Sequence, residues 1–391
     1  MRLSVVHDRN SKKGGDEMTL TLSETEASPL EKRNRVLPRI VGIATATPPH
    51  SYAQSELLDI FGITDRRIRS LFMNSAIDRR FLTLPPEEPG GGRRVETQGE
   101  LLRKHRTSSV EMGARAVREC VARTGLDLSE IGYICCVTTT GLLTPGLSAH
   151  LIKELGLSVH TSRLDVVGMG CNAGLNGLNA VAGWAGAHPG RPALMVCVET
   201  CSAAYVFDGT MRTAVVNSLF GDGAAAVILM ADPSGLLEEG HVRAEGPTIL
   251  KFSSCIIPDA IDAMRYDWDE DQGKFSFFLD RDVPYVVGAH AELIIGRLLA
   301  DTGVRRSDIA HWIIHSGGKK VIDSVQINLG LTRHDVRHTS GVLRDYGNLS
   351  SGSFLFSYER LMAEGRVQPG DHGIFMTMGP GSTIETALVR Y

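Results

Sequence analysis

The chain has 391 residues, 42% of them hydrophobic and 22% charged, a balance that allows a large buried core and excludes disorder for the bulk of the sequence. A formal net charge of -4 argues against a nucleic-acid-binding protein, and no apolar run reaches the roughly 18 residues that a membrane helix needs. The seven cysteines are odd in number and lack the paired spacing of a zinc site, so they read as free thiols of a reducing, cytoplasmic compartment rather than as a disulfide framework.

In chain order, residues 1–36 are polar, without the apolar core of a signal peptide, and read as a mobile N-terminal extension. A strand is expected at residues 39–43 and a helix at 54–61. Residues 66–106 are rich in arginine, among them Arg66, Arg67, Arg69, Arg93 and Arg94, and are broken by the loop PPEEPGGG. Apolar periodicity predicts a helix over 109–124. A buried strand follows at 133–137, in which Cys135 and Cys136 read as core filler. Pro145 marks a helix start, with the helix running to about Leu155. Residues 163–167 form a strand that leads through GMGCNAG into a helix rich in Ala and Gly, ending near Trp184. Further strands are expected at 193–198 and 224–230, and a long helix at 283–299. A strand at 312–314 ends at His315, helices follow at 319–329 and 353–362, and strands at 373–378 and 383–389 close the chain.

Buried strands alternating with helices predict an α/β fold, with helices layered over mixed sheets. The strand–turn–helix theme occurs once in each half, so a duplicated fold is expected. Its halves are 37–245 and 246–391, joined near residues 240–255.

Three residues draw attention by their place at the ends of elements. Cys171 is flanked by Gly168, Gly170 and Gly174, and glycines allow a sharp turn that lifts a side chain out of a sheet. The following helix N-terminus would lower its thiol pKa and make it a nucleophile; the competing reading is an inert core cysteine. His315, in HSGGKK, would by itself more often be a satisfied core histidine. Asn348, in YGNLSS, would by itself be a turn signal. Together, a thiol, an imidazole and an amide donor are the parts needed to form an acyl thioester and to stabilise an enolate.

In these motifs the chain resembles the thiolase-fold condensing enzymes, and among them the type III polyketide synthases of the chalcone synthase-like family, over residues 37–391. GMGCNAG is similar to that family's nucleophile motif, HSGGKK to its histidine motif and YGNLSS to its asparagine motif. LFGDGAAA matches the segment that carries an active-site phenylalanine, here Phe220, and FSFFLDRDVP the segment with a second one, here Phe277. MGPGS matches the C-terminal glycine loop, Gly379, Pro380 and Gly381, with Met378 where relatives usually carry Phe. Thr139, Thr140 and Ala204 match positions that line the acyl cavity of relatives, with ordinary core packing as the alternative. Arg66, Arg67 and Arg69 are the candidates for the phosphates of coenzyme A, although Ser70 and Asn74 replace other basic residues; a solvated charged face is the alternative.

The resemblance implies decarboxylative Claisen condensation of malonyl-CoA, a homodimer, and no metal or cofactor beyond the coenzyme A of the substrate. Within the family, CNAGLNGL and the extended N-terminus are most similar to the bacterial branch that makes 3,5-dihydroxyphenylacetyl-CoA for glycopeptide antibiotics. That branch implies malonyl-CoA as both starter and extender, with a hydratase-like pathway partner for a late loss of water. The alternatives are a tetrahydroxynaphthalene or alkylresorcinol/pyrone branch, a ketoacyl-ACP synthase III-like enzyme and, from another class, a Cys-His-Asn thioester hydrolase.

Overall fold

The computed structural model describes residues 36–89, 92–205, 208–232 and 246–391; the expected mobile extension, apart from Val36, and the first part of the expected join between halves lie outside them. Residues Val36–Tyr391 make one compact unit. Its strands are β1 (Arg39–Ala46), β2 (Ser51–Ala53), β3 (Arg79–Phe81), β4 (Tyr133–Thr138), β5 (Ser162–Val167), β6 (Ala193–Glu199), β7 (Gly223–Met230), β8 (Thr248–Cys255), β9 (Met264–Asp269), β10 (Lys274–Leu279), β11 (Ile309–Ile314), β12 (His372–Gly379) and β13 (Thr383–Arg390). Its α-helices are α1 (Gln54–Ile60), α2 (Arg66–Met73), α3 (Gln98–Thr124), α4 (Leu147–Leu155), α5 (Ala173–Ala187), α6 (Met211–Asn217), α7 (Val283–Leu299), α8 (Lys319–Leu329), α9 (Arg337–Tyr346) and α10 (Ser353–Glu364).

One mixed sheet runs in the order β11-β12-β13-β8-β1-β7-β6-β4-β5. From its middle outward, each half repeats one succession. In the first, β1 pairs antiparallel with β7, β7 antiparallel with β6, and β6 parallel with β4. In the second, β8 pairs antiparallel with β13, β13 antiparallel with β12, and β12 parallel with β11. The duplication is therefore topological, and the halves meet where Arg39 pairs with Thr248. Arg39 Nε reinforces the seam by donating to the Gly246 carbonyl at 2.7 Å.

The helices that follow Cys171 and Asn348 share one core cluster. Leu175, Leu178 and Val181 of α5 meet the same cluster as Phe354, Leu355 and Tyr358 of α10. Phe354 and Tyr358 pack their rings at a tilt against Phe375 of β12, with centroids 5.9 and 5.3 Å away. Small residues in α5 permit this closeness: a Cβ on Gly174 would lie 2.3 Å from the Ser351 carbonyl oxygen and 2.6 Å from the Phe354 ring.

Three expectations change at this level. The helix expected at 109–124 starts at Gln98, where Thr97 and Glu100 form a capping box; its first turns are mostly polar and carry little apolar periodicity. The helix expected at Pro145 begins at Leu147, after a cis Thr144–Pro145 bond. Strand β5 is not covered on both faces: it is the sheet edge, and Ser162, Arg163, Leu164 and Val167 are exposed. Cys135 and Cys136 are buried in β4 as expected, and all the cysteines are free thiols. Among the described residues, no helix is long and apolar enough to cross a membrane.

Candidate active site

Cys171 lies in the turn between β5 and α5. Gly168 and Gly170 take φ values of +79° and +76° there, a region open to glycine at little cost. Thr139 Oγ1 fixes the turn from below by accepting the Gly170 N–H at 2.9 Å. The other half of the fold closes over it: a Cβ on Gly170 would lie 2.3 Å from Pro380, and one on Gly379 would lie 3.0 Å from the Cys171 nitrogen. The loop of Gly379, Pro380 and Gly381 is thus packed directly on the cysteine turn, and Met378 shares the apolar cluster of Cys171.

Asn348 joins the remaining pieces. Its Nδ2 donates to the Gly317 carbonyl at 3.3 Å, two residues beyond His315, and its Oδ1 accepts the Ser350 N–H at 2.8 Å. Ser350 Oγ in turn reaches Cys171 Sγ at 3.7 Å. The Asn348 backbone bonds to both neighbours of Phe220: its N–H donates to Leu219 at 2.8 Å and its carbonyl accepts from Gly221 at 3.0 Å. The asparagine and the phenylalanine are therefore fixed as one piece. His315 directly follows β11 and donates its N–H to the Met376 carbonyl at 2.8 Å. Its ring stands beside Gly317, where a Cβ would come within 3.1 Å of it. A line of contacts thus runs from Cys171 through Ser350 and Asn348 to Gly317, beside the His315 ring.

The electrostatics differ from the expectation of an acidified thiol. Cys171 is 8% exposed, and burial pushes its thiol up to about 12, against the pull of hydrogen bonds from Ser350 and Asn348. Loss of water outweighs the helix N-terminus, because the charged form suffers most from desolvation. Burial likewise lowers His315 to about 3, and its Nδ1 has no hydrogen-bond partner among the described residues. Burial thus favours the neutral form of both side chains. Because Ser350 Oγ supports the thiolate, Ser350→Ala should shift the pH profile of Cys171 alkylation by iodoacetamide to higher pH. An unchanged profile, or one moved to lower pH, would contradict the Ser350–Cys171 hydrogen bond.

Glu199, at the end of β6, was not singled out by any motif. It is fully buried, which raises its pKa, and it accepts N–H bonds from Thr139 and Thr140 at 3.0 and 3.2 Å and the Ser351 hydroxyl at 2.6 Å. It ties the Thr139 turn, which supports Cys171, to the turn after Asn348. The only signal in the sequence was an acid closing an otherwise apolar strand. Thr139 supports the cysteine turn through its hydroxyl. The expectation that Thr140 lines an acyl cavity is not met at its hydroxyl, which accepts the Thr200 N–H at 2.9 Å and lies 3.3 Å from His105 Nδ1. Burial of Glu199 and His105 explains this: their neighbours need every nearby donor and acceptor.

Phe220 and Phe277 meet edge to face with centroids 6.1 Å apart, and Ala204 packs against the same cluster. A cavity beside Phe220 is lined by Arg80, Arg93, Arg94, Cys201 and Tyr205. Arg80 is another residue the motifs missed. It is buried, donates from Nη1 to the Phe220 carbonyl at 2.7 Å and from Nε to Gln54 at 3.0 Å, and burial lowers its pKa to about 9. Arg66, Arg67 and Arg69 are elsewhere, on α2. Arg66 and Arg67 are exposed, and Arg69 donates to the Ile63 carbonyl at 2.9 Å. None of the three lines the cavity beside Phe220, because α2 turns Ile68 and Phe72 inward and leaves its arginines outside.

Comparison with known proteins agrees with this geometry. Residues 26–233 match the N-terminal domain of chalcone and stilbene synthases, and residues 251–391 match the C-terminal domain. The C-terminal type III polyketide synthase domain of Steely1 from Dictyostelium superposes with a TM-score of 0.80 at 26% identity, over 90% of this chain and 99% of that one. The chain belongs to the chalcone and stilbene synthase family, the type III polyketide synthases, and is an acyltransferase of the Claisen-condensing kind. Within the family it is 66% identical over 354 residues to a 3,5-dihydroxyphenylacetyl-CoA synthase of Streptomyces toyocaensis, covering 90% of each chain. It is also 61% identical over 374 residues to a 3,5-dihydroxyphenylacetyl-CoA synthase of Amycolatopsis orientalis, covering 96% of this chain and 99% of that one.

Proposed function

We propose that the protein condenses malonyl-CoA alone and closes the resulting chain to 3,5-dihydroxyphenylacetyl-CoA. The observation that carries this reading is the identity of 61% or more to synthases of that product along nearly the whole chain. Cys171 Sγ attacks the thioester carbon of a malonyl-CoA, the neutral His315 ring takes the thiol proton, and coenzyme A leaves as the thiol. A second malonyl-CoA then places its thioester oxygen between His315 and Asn348. Their hydrogen bonds stabilise the enolate formed as CO2 departs, and the enolate carbon attacks the acyl carbon on Cys171, whose sulfur leaves as the thiolate; the lengthened chain, now on coenzyme A, returns to Cys171 by thioester exchange before the next extension. Phe220 and Phe277 keep water from the carbanion, which a proton from water would quench. Arg80 positions Phe220 through the backbone carbonyl.

Four malonyl units, losing CO2 at each, supply the carbons of the tetraketide, and an internal aldol closure with loss of water gives the aromatic ring while the thioester is retained. The last step suits a dehydrating pathway partner. The chemistry calls for no metal or organic cofactor beyond the coenzyme A of the substrate. The free thiols and the absence of a charge pattern for nucleic acid fit a cytoplasmic enzyme. Purified protein with malonyl-CoA as sole substrate, its products resolved by chromatography and mass, should give 3,5-dihydroxyphenylacetyl-CoA. A strict need for a long-chain or aromatic starter, or a naphthalene product, would overturn the assignment.

We also place a second copy of the chain against β5. That edge is unpaired and exposes Leu164 and Val167, 36% and 42% accessible, and an open edge is a template for strand pairing with another chain. Sedimentation equilibrium should return twice the chain mass. A monomer at micromolar concentration would contradict the dimer.

A further inference from the structure

Two tyrosines pack on the active-site phenylalanines without a part in the reaction as described, and one of them, Tyr205, lines the cavity beside Phe220. Tyr205 follows the short turn after β6, and Tyr266 stands on β9. Tyr205 lies in the same apolar cluster as Cys171, Phe220 and Phe277, and Tyr266 packs against it. Their rings are nearly parallel, 6.3 Å apart and 11° from coplanar. Tyr205 is 4.3 Å from the Phe220 ring, and Tyr266 is 5.3 Å from the Phe277 ring. Tyr266 therefore bridges the phenylalanine pair and a second polar group.

The Tyr266 hydroxyl is buried beside that of Tyr205, from which it accepts a hydrogen bond, while its own proton has no acceptor among the described residues. Burial raises its pKa, the Tyr205 hydrogen bond lowers it, and negative charge on Glu199, Cys201 or Cys171 would raise it. The phenol stays protonated and packs against the cluster that contains Cys171. A buried donor without a partner is costly and rare in a folded protein. The Tyr205 hydroxyl serves it as a donor, whereas a chain carried on Cys171 offers acceptors: a poly-β-keto thioester carries an oxygen on every second carbon.

We propose that the Tyr266 hydroxyl, with Tyr205 beside it, donates a hydrogen bond to a keto oxygen of the Cys171-bound poly-β-keto chain and so selects carbon–carbon ring closure over lactone formation. The inference rests on the substrate class proposed above. Lactone formation requires an enol oxygen of the chain to attack the thioester carbonyl. An oxygen held as a hydrogen-bond acceptor is a poorer nucleophile and is turned from that attack. Closure through carbon needs no such oxygen. The tyrosine is then a specificity-determining residue whose effect appears in the partition between products.

Tyr266→Phe removes the hydroxyl and keeps the ring in its stack; Tyr205→Phe does the same for its neighbour. Each variant is given malonyl-CoA alone, and the ratio of carbocyclic to lactone products is measured by chromatography and mass, with thermal melting as a check of the fold. One hydrogen bond lost from the favoured path should lower the ratio about three- to tenfold in Tyr266→Phe, with a smaller fall in Tyr205→Phe. An unchanged ratio in Tyr266→Phe overturns the inference, and so does lower turnover with the ratio intact. The wild-type profile judges the proposed product separately, since the ratio compares variant with wild type whatever ring is formed.

Discussion

Cys171→Ala should abolish formation of any condensed product while the protein continues to release CO2 from malonyl-CoA. The two half-reactions lie on different side chains. Cys171 supplies the covalent anchor, and the anchor has no substitute: Cys171 is 8% exposed, whereas Cys197 and Cys201 are 0% and 1% exposed and closed to an acyl group. The decarboxylating pair is attached to other elements. His315 is held by β12 through its backbone, and Asn348 by the segment around Phe220. Neither depends on the thiol for its position. Product below detection with measurable conversion of malonyl-CoA to acetyl-CoA is the expected result. Condensed product at even a tenth of the wild-type level would remove Cys171 from the role.

The second large effect is expected at His315 and Asn348. Removing one donor from an oxyanion site typically costs about 10²–10³ in rate. His315→Ala and Asn348→Ala should each lower malonyl-CoA decarboxylation on that scale. The double variant should fall by much less than the product of the two, because both groups serve one oxygen and the first loss already ruins its site. Asn348 carries an additional structural load, since its Oδ1 accepts the Ser350 N–H at 2.8 Å. Asn348→Asp keeps that acceptor but loses the amide donor, so it separates the two duties: a rate as low as in Asn348→Ala assigns the loss to the donor. Near-normal CO2 release in both single variants would refute the oxyanion role.

The readable part of this protein lies where glycines adjoin a reactive side chain at the end of a strand. Cys171 between Gly170 and Gly174, His315 before Gly317 and Asn348 after Gly347 were marked by local geometry, and tertiary packing then collected them. The residues that act by being buried left weaker traces. Glu199 looks like the end of a strand until its donors from β4 and the Asn348 turn are seen together. Arg80 is one arginine among many until it proves buried under the Phe220 carbonyl. The elevated thiol pKa of Cys171 follows from its burial, to which Pro380 and Gly379 contribute by packing on its turn from the distant half of the chain, a desolvation no local motif encodes. The polar start of α3 and the β9–β10 hairpin that carries Tyr266 were missed for a related reason: neither has an apolar period strong enough to announce itself.

The central claim is that the growing chain is carried on Cys171, and it is tested most directly by brief incubation of the wild-type protein with malonyl-CoA, acid quench, and peptide mapping by mass spectrometry. The account predicts a labile acyl adduct on the peptide that contains Cys171. An adduct on the peptide of Cys197 or Cys201, with the Cys171 peptide unmodified, would contradict it.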